Sequence, residues 1–497
     1  MTRRTRRRRA VMAVLLGALT AVGTGVPMAN ADAGDDRFHR QKVSWSSCDD
    51  GDLPLDCARV TVPVDWARPT GRTIALKVRR HRATGTRQGS LLTNPGGPGA
   101  SGVRYLPEAA RSWRGAVTAG FDLVSWDPRG VGESAPLTCP DGADAALRAV
   151  DSSPDTLAER LTQEAAVRTW ARRCRAASGP IFDHVDTLSN VRDLDVLRAV
   201  LGEAKLSFLG TSYGTRIGIW YADTFPTRVG RMVLDSAVDP ASGNKAFLNG
   251  QAMSVERALD DYLAGCADRA GCPFSDLGQA RGRAEPAKGR ARGRAELAKG
   301  QARGRAELAK LLRAADSRPV EQGELVSMTA ALLRTPGYWP GLDAQLARVL
   351  AGDHSAIQPT GAVDVANVAI NCQDLPDHRT ARQVLADAER TARSRPVFGY
   401  EFTSGTMCPN WPNGGVVKPR PVIARGSAPI LVVGTTRDAA TPYEWARSTA
   451  RHLANGRLLT REGSGHAAYG DNACVTEAVD RYLLDAVLPA TRTVCAG

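Results

Sequence analysis

The chain has 497 residues, of which 43% are hydrophobic and 24% are charged. A chain of this length can bury a large core and is long for a single domain. Its formal net charge of +13 comes from residues 1–31 and 278–310, which contribute +6 and +7. The rest of the chain is neutral, which excludes the broad basic surface of a nucleic-acid-binding protein.

The first predicted element is a secretory signal peptide over residues 1–31. A cluster of six arginines comes first, an apolar run follows over residues 10–22, and small residues at 29–31 form a cleavage site. No other stretch reaches the roughly 18 apolar residues of a membrane span, so we expect a soluble, secreted protein without stable membrane anchoring. The export route stays open, because the arginine cluster would also suit a twin-arginine export signal. The mature N-terminus stays open too, because residues 32–40 are polar and unstructured in pattern, as in a short propeptide.

Ten cysteines follow the export signal, and their even number indicates disulfides formed after export. Their spacing favours pairing between sequence neighbours, although sequence alone leaves the connectivity open. The favoured pairs are Cys48 with Cys57, Cys139 with Cys174, Cys266 with Cys272, Cys372 with Cys408, and Cys474 with Cys495. A metal site is the competing interpretation, but there is no Cys-x-x-Cys and no cysteine pair with histidines at ligand spacing. We expect neither a metal nor a cofactor.

Strand patterns begin at residues 60–64 and 73–78, which predict a hairpin, and continue at 89–93. An Asn-Pro-Gly-Gly-Pro-Gly loop follows at residues 94–99. Such a loop can turn the backbone N–H of Gly97 toward a reacting carbonyl oxygen. An ordinary glycine turn is the simpler alternative.

Ser212 lies in a Gly-Thr-Ser-Tyr-Gly turn at residues 210–214, directly after the apolar run 206–209. A strand that enters a Gly-x-Ser-x-Gly turn and then a helix is the nucleophile elbow of the α/β-hydrolases. The glycines leave room for a sharp turn that exposes the serine hydroxyl at the head of the helix. The N–H of Tyr213 would be a second donor to the reacting oxygen, beside that of Gly97.

Between residues 237 and 425 the alternation of strand and helix patterns stops, and the sequence pattern is mostly helical. An insertion at this point of an α/β-hydrolase is a cap domain, which excludes water and limits access to the serine. We therefore expect a core part at 32–236, a cap at 237–425 and a second core part at 426–497. The predicted fold is α/β, with a mostly parallel sheet covered by helices on both faces and a largely helical cap.

An 11-residue repeat occupies residues 278–310 inside the expected cap, with copies that start at Gly278, Gly289 and Gly300. Eleven residues are close to three helical turns, and the composition favours helix, whereas the glycines and Pro286 oppose it. Because large apolar side chains are few, we expect a solvated extension that is helical or partly disordered. A docking site for an acidic cell-wall polymer is the alternative.

Two later loops carry the partners that a nucleophilic serine needs. Asp438 follows the buried strand pattern 429–434, and His466 ends a Gly-Ser-Gly loop after the short strand 456–460. Taken singly, a turn-capping aspartate and a loop histidine are simpler interpretations, but the order Ser212, Asp438, His466 is that of the α/β-hydrolases. His466 would take the serine proton and return it to the leaving group, while Asp438 would orient the histidine and stabilise its charged form.

Several motifs resemble those of the proline iminopeptidase family. The loop at 94–99 is similar to that family's His-Gly-Gly-Pro-Gly loop, with Asn94 in place of the histidine. Residues 127–134 are similar to its Asp-x-Arg-Gly-x-Gly-x-Ser segment, and residues 188–195 and the Gly-x-Ser-Tyr-Gly-Thr elbow also fit. The chain most resembles the secreted tripeptidyl aminopeptidase branch, which carries its acid and histidine in a C-terminal segment and has several cysteines. The resemblance covers the mature chain except the repeat.

The resemblance implies a serine exopeptidase that takes peptides with a free N-terminus and releases short peptides, most of all tripeptides. Such an enzyme needs a group that binds the α-ammonium, and a carboxylate is its natural partner. Asp374 is the first candidate because a disulfide at Cys372 would hold it, and Glu401 is the second. For both, a solvated surface acid is the simpler interpretation.

Other functions stay open, because fold alone does not settle function. A proline iminopeptidase and a capped esterase or similar small-molecule hydrolase fit the same scaffold. The Pro-Gly-Gly-Pro-Gly loop and the paired cysteines of the cap favour the peptidase. A cell-wall-binding module with an inactive site is the non-enzymatic alternative, which the complete set of triad residues opposes. The oligomeric state is open.

Overall fold

A ten-stranded sheet forms the centre of the computed structural model, which describes residues 32–113, 115–275, 289–315, 319–357 and 363–497. The predicted signal peptide and the first copy of the repeat lie outside the described residues. The strands in chain order are β1 (Ser46–Ser47), β2 (Asp56–Pro63), β3 (Thr73–His81), β4 (Gly89–Asn94), β5 (Phe121–Trp126), β6 (Leu206–Thr211), β7 (Val229–Asp235), β8 (Ile430–Arg437), β9 (Gly456–Ser464) and β10 (Val494–Cys495).

The order across the sheet is β1-β2-β3-β5-β4-β6-β7-β8-β9-β10. The first edge is antiparallel, with β2 and β3 paired as the predicted hairpin and β3 paired with β5. From β5 to β10 every neighbouring pair is parallel. The predicted α/β fold with a mostly parallel sheet is therefore confirmed.

Helices cover both faces of this sheet. They are α1 (Asp32–His39), α2 (Gly102–Ser112), α3 (Ala116–Gly120), α4 (Ala145–Arg148), α5 (Leu157–Ser178), α6 (Thr187–Val200), α7 (Tyr213–Thr224), α8 (Asn244–Ala264), α9 (Gly289–Ala315), α10 (Pro319–Leu332), α11 (Trp339–Leu350), α12 (Val365–Asp374), α13 (Ala381–Ser394), α14 (Gly399–Ser404), α15 (Tyr443–His452) and α16 (Ala473–Asp485). Since successive strand residues face opposite sides, Leu92 and Val432 pack into one core with α6 and α7, whereas Leu91 and Leu431 pack into another with α2 and α16.

Helices α8 to α14, here called the helical insertion, lie between β7 and β8, in the interval where the sequence predicts a cap. Leu259, Leu308, Leu342 and Phe398 belong to a third core within this insertion. Helix α12 differs, because its buried residues, Ile370 among them, belong to the core shared with α6 and α7. The insertion thus has a part with its own core and a part that completes the core of the sheet.

The third copy of the repeat is packed, which corrects the expected solvated extension. It lies in α9 and contacts α8 at Gly304, where a Cβ would lie 2.6 Å from a methyl carbon of Leu263. Arg305 forms ion pairs with Glu256 and Asp260 of α8 at 2.7 and 2.5 Å. Glycine allows the two helices to approach, so the residue type that opposes helix formation here favours helix packing.

The segment after the predicted cleavage site is also ordered, unlike the unstructured pattern expected for residues 32–40. Phe38 in α1 is 3% exposed and packs edge-on against Trp66, with ring centres 5.9 Å apart. His39 contacts the carboxylate of Asp195 on α6 at 3.0 Å. These contacts make α1 part of the folded body.

Five disulfides join the ten cysteines, each to its neighbour along the chain. The pairs are Cys48–Cys57, Cys139–Cys174, Cys266–Cys272, Cys372–Cys408 and Cys474–Cys495. Two of them lie at the two edges of the sheet, where one joins Cys48, directly after β1, to β2 and another joins α16 to β10. The predicted disulfides are confirmed, with the pairing that the spacing favours.

Candidate active site

Ser212 occupies the sharp turn between β6 and α7, at the carboxyl end of a central strand. Its φ of +57° lies in the left-handed region, which non-glycine residues adopt mostly at strained, functional turns. A Cβ on Gly210 would lie 2.5 Å from the carbonyl oxygen of Gly214, and one on Gly214 would lie 2.4 Å from that of Asn94. Both distances are far below van der Waals contact, so this turn requires glycine at both positions.

Asp438 and His466 meet at the carboxyl ends of β8 and β9. The Nδ1 atom of His466 lies 2.9 and 3.0 Å from the two carboxylate oxygens of Asp438. The carboxylate also accepts from the Ser236 hydroxyl at 2.7 Å and from the N–H groups of Ala440 and Thr441 at 2.8 Å each. Burial alone would raise the pKa of Asp438, but His466, Thr441 and Ser236 lower it by more, so it lies below its ordinary value. The carboxylate stays charged and can orient the histidine.

The histidine belongs to a loop, residues 465–469, that is held by five consecutive backbone N–H groups. The first two donate to the carbonyl oxygens of Arg437 and Arg334 at 3.4 and 3.0 Å. The third donates to the Ser236 hydroxyl at 2.9 Å, and the last two donate to one carboxylate oxygen of Asp235 at 2.9 Å each. Arg334 follows α10, so the helical insertion contributes directly to the position of the histidine.

The glycine loop of residues 94–99 packs against the elbow. Gly96 has a φ of +98°, and a Cβ there would lie 2.9 Å from the backbone nitrogen of Tyr213. The Gly96 N–H donates to the side-chain oxygen of Asn94 at 3.0 Å, so this asparagine fixes the turn. Tyr213 begins α7, and its N–H therefore has no acceptor within the helix. The roles of Gly97 and Tyr213 as oxyanion donors stay predictions.

Two other motifs of the resemblance meet in one buried ion pair. Arg129 and Asp193 have fully buried side chains that contact at 2.7 Å. Arg129 also donates to the carbonyl oxygens of Pro63 and Val64 at 3.0 and 2.8 Å. Asp193 accepts from the indole N–H of Trp66 at 3.0 Å. These motifs therefore join the end of β2, the loop after β5 and helix α6, which is a structural role.

Comparison with known proteins identifies the family. A family model described as alpha/beta hydrolase fold matches residues 89–321, and one described as TAP-like protein matches residues 395–495. The serine protease Hip1 of Mycobacterium tuberculosis is 34% identical over 98% of this chain and 96% of that protein. The tripeptidyl aminopeptidase of Streptomyces lividans is 32% identical over 93% of this chain and 88% of that protein. The chain belongs to the tripeptidyl aminopeptidase-like family of α/β-hydrolases.

Membership of this family confirms the resemblance seen in the motifs. The chain is a serine hydrolase, and its relatives support a serine peptidase. Ser212 falls within the first family match, whereas Asp438 and His466 fall within the second. Carboxylesterase B of Mycobacterium tuberculosis is also similar, at 33% identity over 91% of this chain and 90% of that protein.

The structure corrects the role expected for Asp374 in this aminopeptidase-like chain. Its side chain is 1% exposed and accepts from the N–H and hydroxyl of Thr187 at 2.8 and 2.5 Å. Arg216 of α7 lies 3.5 Å away, and the Thr187 hydroxyl also contacts that of Tyr213 at 2.8 Å. A buried carboxylate with both oxygens engaged has no surface for a substrate ammonium. Through Arg216, Asp374 instead stabilises the position of α7, the helix that follows the elbow.

The environment of Asp374 predicts a pH-dependent contribution to stability. Burial raises the pKa of this carboxyl to about 6, despite opposing effects of Arg216 and Thr187. The contribution of protonated Asp374 to the free energy of unfolding is therefore fully present below about pH 4 and is lost as the pH rises through about 6. The side chain of Asp374→Asn is neutral at every pH and lacks this loss. We therefore expect the free energy of unfolding of the variant, measured relative to that of the natural protein, to rise by about 2–3 kcal/mol between about pH 4 and pH 7. Denaturant unfolding of both proteins measures the difference, and a pH-independent difference would contradict this assignment.

Other acids remain candidates for binding the ammonium. Glu401 lies on α14, which packs against α8 and α13, and its role stays a prediction. Asp364, which sequence reasoning missed, is exposed and lies at the glycine loop, where a Cβ on Gly99 would be 3.0 Å from its carboxylate. It also caps α12 by accepting from the N–H groups of Ala366 and Asn367 at 3.0 and 3.1 Å.

Sequence reasoning also missed Asp235 and Ser236, which hold the acid and the histidine in place. Asp235 is buried, and this burial raises its pKa. Ser236 has a φ of +57°, and its hydroxyl lies between the Asp438 carboxylate and the histidine loop. A signal was available, since Asp235 ends β7 and Ser236 follows it directly, and ligands of open α/β sheets bind at the carboxyl ends of the strands.

Among the described residues, no helix is long and apolar enough to cross a membrane. In the same ranges, no group of three or more His, Cys, Asp or Glu side chains has an arrangement that could hold a metal ion.

Proposed function

We propose that this chain is an exported tripeptidyl aminopeptidase that cleaves peptides from free N-termini through an acyl-serine intermediate. The observation that carries the proposal is the hydrogen-bonded Asp438–His466 pair at the same sheet edge as the Ser212 elbow. Similarity to a tripeptidyl aminopeptidase over 93% of the chain supports the choice of substrate class.

The proposed mechanism follows from the placement of each group. Because the Nδ1 atom of His466 is occupied by Asp438, its Nε2 atom is the one available to take the proton of the Ser212 hydroxyl. The serine oxygen then attacks the scissile carbonyl, and the N–H groups of Gly97 and Tyr213 stabilise the oxyanion that forms. Each such donor contributes about 3–4 kcal/mol to transition-state stabilisation. Return of the proton to the leaving amine gives the acyl-enzyme, which water hydrolyses.

Export is proposed on two observations. Residues 1–31 have the pattern of a signal peptide, and all ten cysteines are paired. Disulfides persist in oxidising compartments outside the cytosol. The substrates would therefore be peptides outside the cell.

A panel of chromogenic substrates tests the proposal on the purified mature protein. It contains amides of one, two or three residues, each with a free or acetylated N-terminus, and a simple ester. We expect fastest release from the free tripeptide amide and a loss of about 10–100-fold in kcat/KM on acetylation, since a charge-assisted contact is removed. Preference for a single free proline would instead indicate an iminopeptidase.

The same panel, run on Asp364→Asn and Glu401→Gln, tests which acid binds the ammonium. Asparagine caps a helix as well as aspartate does, so Asp364→Asn removes charge without removing the cap of α12. The variant of the true ammonium-binding residue loses activity only on free N-termini. Equal losses on acetylated substrates would assign the residue to structure.

An esterase is the second candidate, because Carboxylesterase B is similar over 91% of this chain. The triad chemistry serves esters and amides alike. Turnover of the ester without any of the amides would support the esterase and reject the peptidase.

A further inference from the structure

A single carboxylate joins the helical insertion to both loops of the Asp438–His466 pair. Asp261 lies in the last turn of α8. It forms an ion pair with Arg437, the residue before Asp438, and accepts from the Ser464 hydroxyl at 2.8 Å, two residues before His466. The Asp261 side chain is only 13% exposed, so these contacts are partly shielded from solvent.

The two residues that Asp261 contacts are the last residues of their strands. Arg437 and Ser464 lie opposite each other in the β8–β9 ladder, just beyond a shift of register between Thr435 and Arg437. An irregular ladder holds strand ends less firmly than a regular one. Asp261 therefore bridges the ends of β8 and β9. At this point the backbone pairing is interrupted and the loops that carry Asp438 and His466 begin.

We propose that Asp261 is a positioning residue that sets the distance between Asp438 and His466. The inference rests on the proposed function and deepens it. The acid and the histidine must stay within hydrogen-bond distance, here 2.9 Å, and a displacement of about 1 Å at such a site can lower the rate about 100-fold. Because Asp261 is on α8, the packing of the helical insertion against the ends of β8 and β9 helps to position Asp438 and His466. The Arg334 carbonyl, which accepts from the His466 N–H at 3.0 Å, is a second contact of the same kind.

A matched control lies one helical turn earlier on α8. Arg257 forms an ion pair with Glu444 of α15 at 2.9 Å, and this pair also joins the insertion to the sheet-bearing body. Its side chains are 43% and 49% exposed. Glu444 lies in the first turn of α15 and not in the loop of Asp438 or of His466, so Glu444→Gln removes an insertion contact without touching the acid or the histidine.

The experiment compares Asp261→Asn, Ser464→Ala and Glu444→Gln with the natural protein. It measures kcat and KM on the free tripeptide amide, and the rate of inactivation by phenylmethanesulfonyl fluoride, a small reagent that reports on the reactivity of the serine. We expect Asp261→Asn to lower kcat and the inactivation rate together by about 10-fold or more, with KM changed less than about twofold. Ser464→Ala shows a smaller loss of the same kind, and Glu444→Gln leaves all three values unchanged.

The proposal would be overturned if Asp261→Asn and Glu444→Gln had equal values of kcat and equal rates of inactivation. A lower kcat with an unchanged inactivation rate would also overturn it, because Asp261 would then act on substrate binding or product release. If Asp261→Asn does not fold, Ser464→Ala decides, since it removes one hydroxyl only. Activity retained by Ser212→Ala would reject the proposed function itself, whereas an inactive Ser212→Ala with an unaffected Asp261→Asn would reject the positioning role alone.

Discussion

Replacement of Ser212 by alanine is expected to lower kcat on the free tripeptide amide by about 10⁵–10⁶-fold. The substitution removes the attacking oxygen and little else, because alanine fits the same backbone turn between Gly210 and Gly214. Substrate binding survives, so KM should change little. Steady-state kinetics of the purified protein, with thermal unfolding in parallel, measure the effect.

Ser207 supplies the matched control for this substitution. It lies in β6, five residues before Ser212, and is partly buried. Ser207→Ala therefore makes the same chemical change in the same strand, without touching the elbow, and should keep kcat within a few-fold of the natural value. Full activity of Ser212→Ala would show that the site has been assigned to the wrong residue.

Asp438→Asn is expected to lower kcat by about 10⁴-fold, with only a small change in KM. The carboxylate of Asp438 accepts four hydrogen bonds besides the one from His466, two from backbone N–H groups and two from the hydroxyls of Ser236 and Thr441. An asparagine can satisfy only part of this set and can present an N–H to the Nδ1 atom of His466. The imidazole then adopts the wrong tautomer and cannot take the serine proton. The comparison of kcat with KM checks this prediction.

Asp343 distinguishes a loss of catalysis from a loss of folding. It is a buried acid within the helical insertion and accepts from Tyr262 at 2.5 Å and Arg269 at 3.0 Å. Asp343→Asn should lower the free energy of unfolding while leaving the kcat of the folded fraction nearly unchanged. If both variants lost kcat equally, the effect of Asp438→Asn would be one of stability.

By itself, the sequence determined the parts of this protein that depend on neighbours along the chain. A buried strand pattern followed by a glycine-flanked serine requires a turn of one kind, because no larger residue fits at Gly210 or Gly214. Because β6, β8 and β9 run parallel, the loops that carry Ser212, Asp438 and His466 follow the same ends of these strands. The neighbouring cysteines were predictable for the same reason, since short loops close readily.

Only the tertiary structure decided how distant residues are used. Asp374 reads as a surface acid until Thr187 and Arg216, each more than 150 residues earlier in the chain, enclose it. The third repeat copy lacks the apolar content of a core helix, yet Gly304 packs closely against Leu263. Which residues are buried, packed closely or hydrogen-bonded across elements depends on which surfaces meet. A local sequence pattern does not show which residues from distant parts of the chain will pack against it.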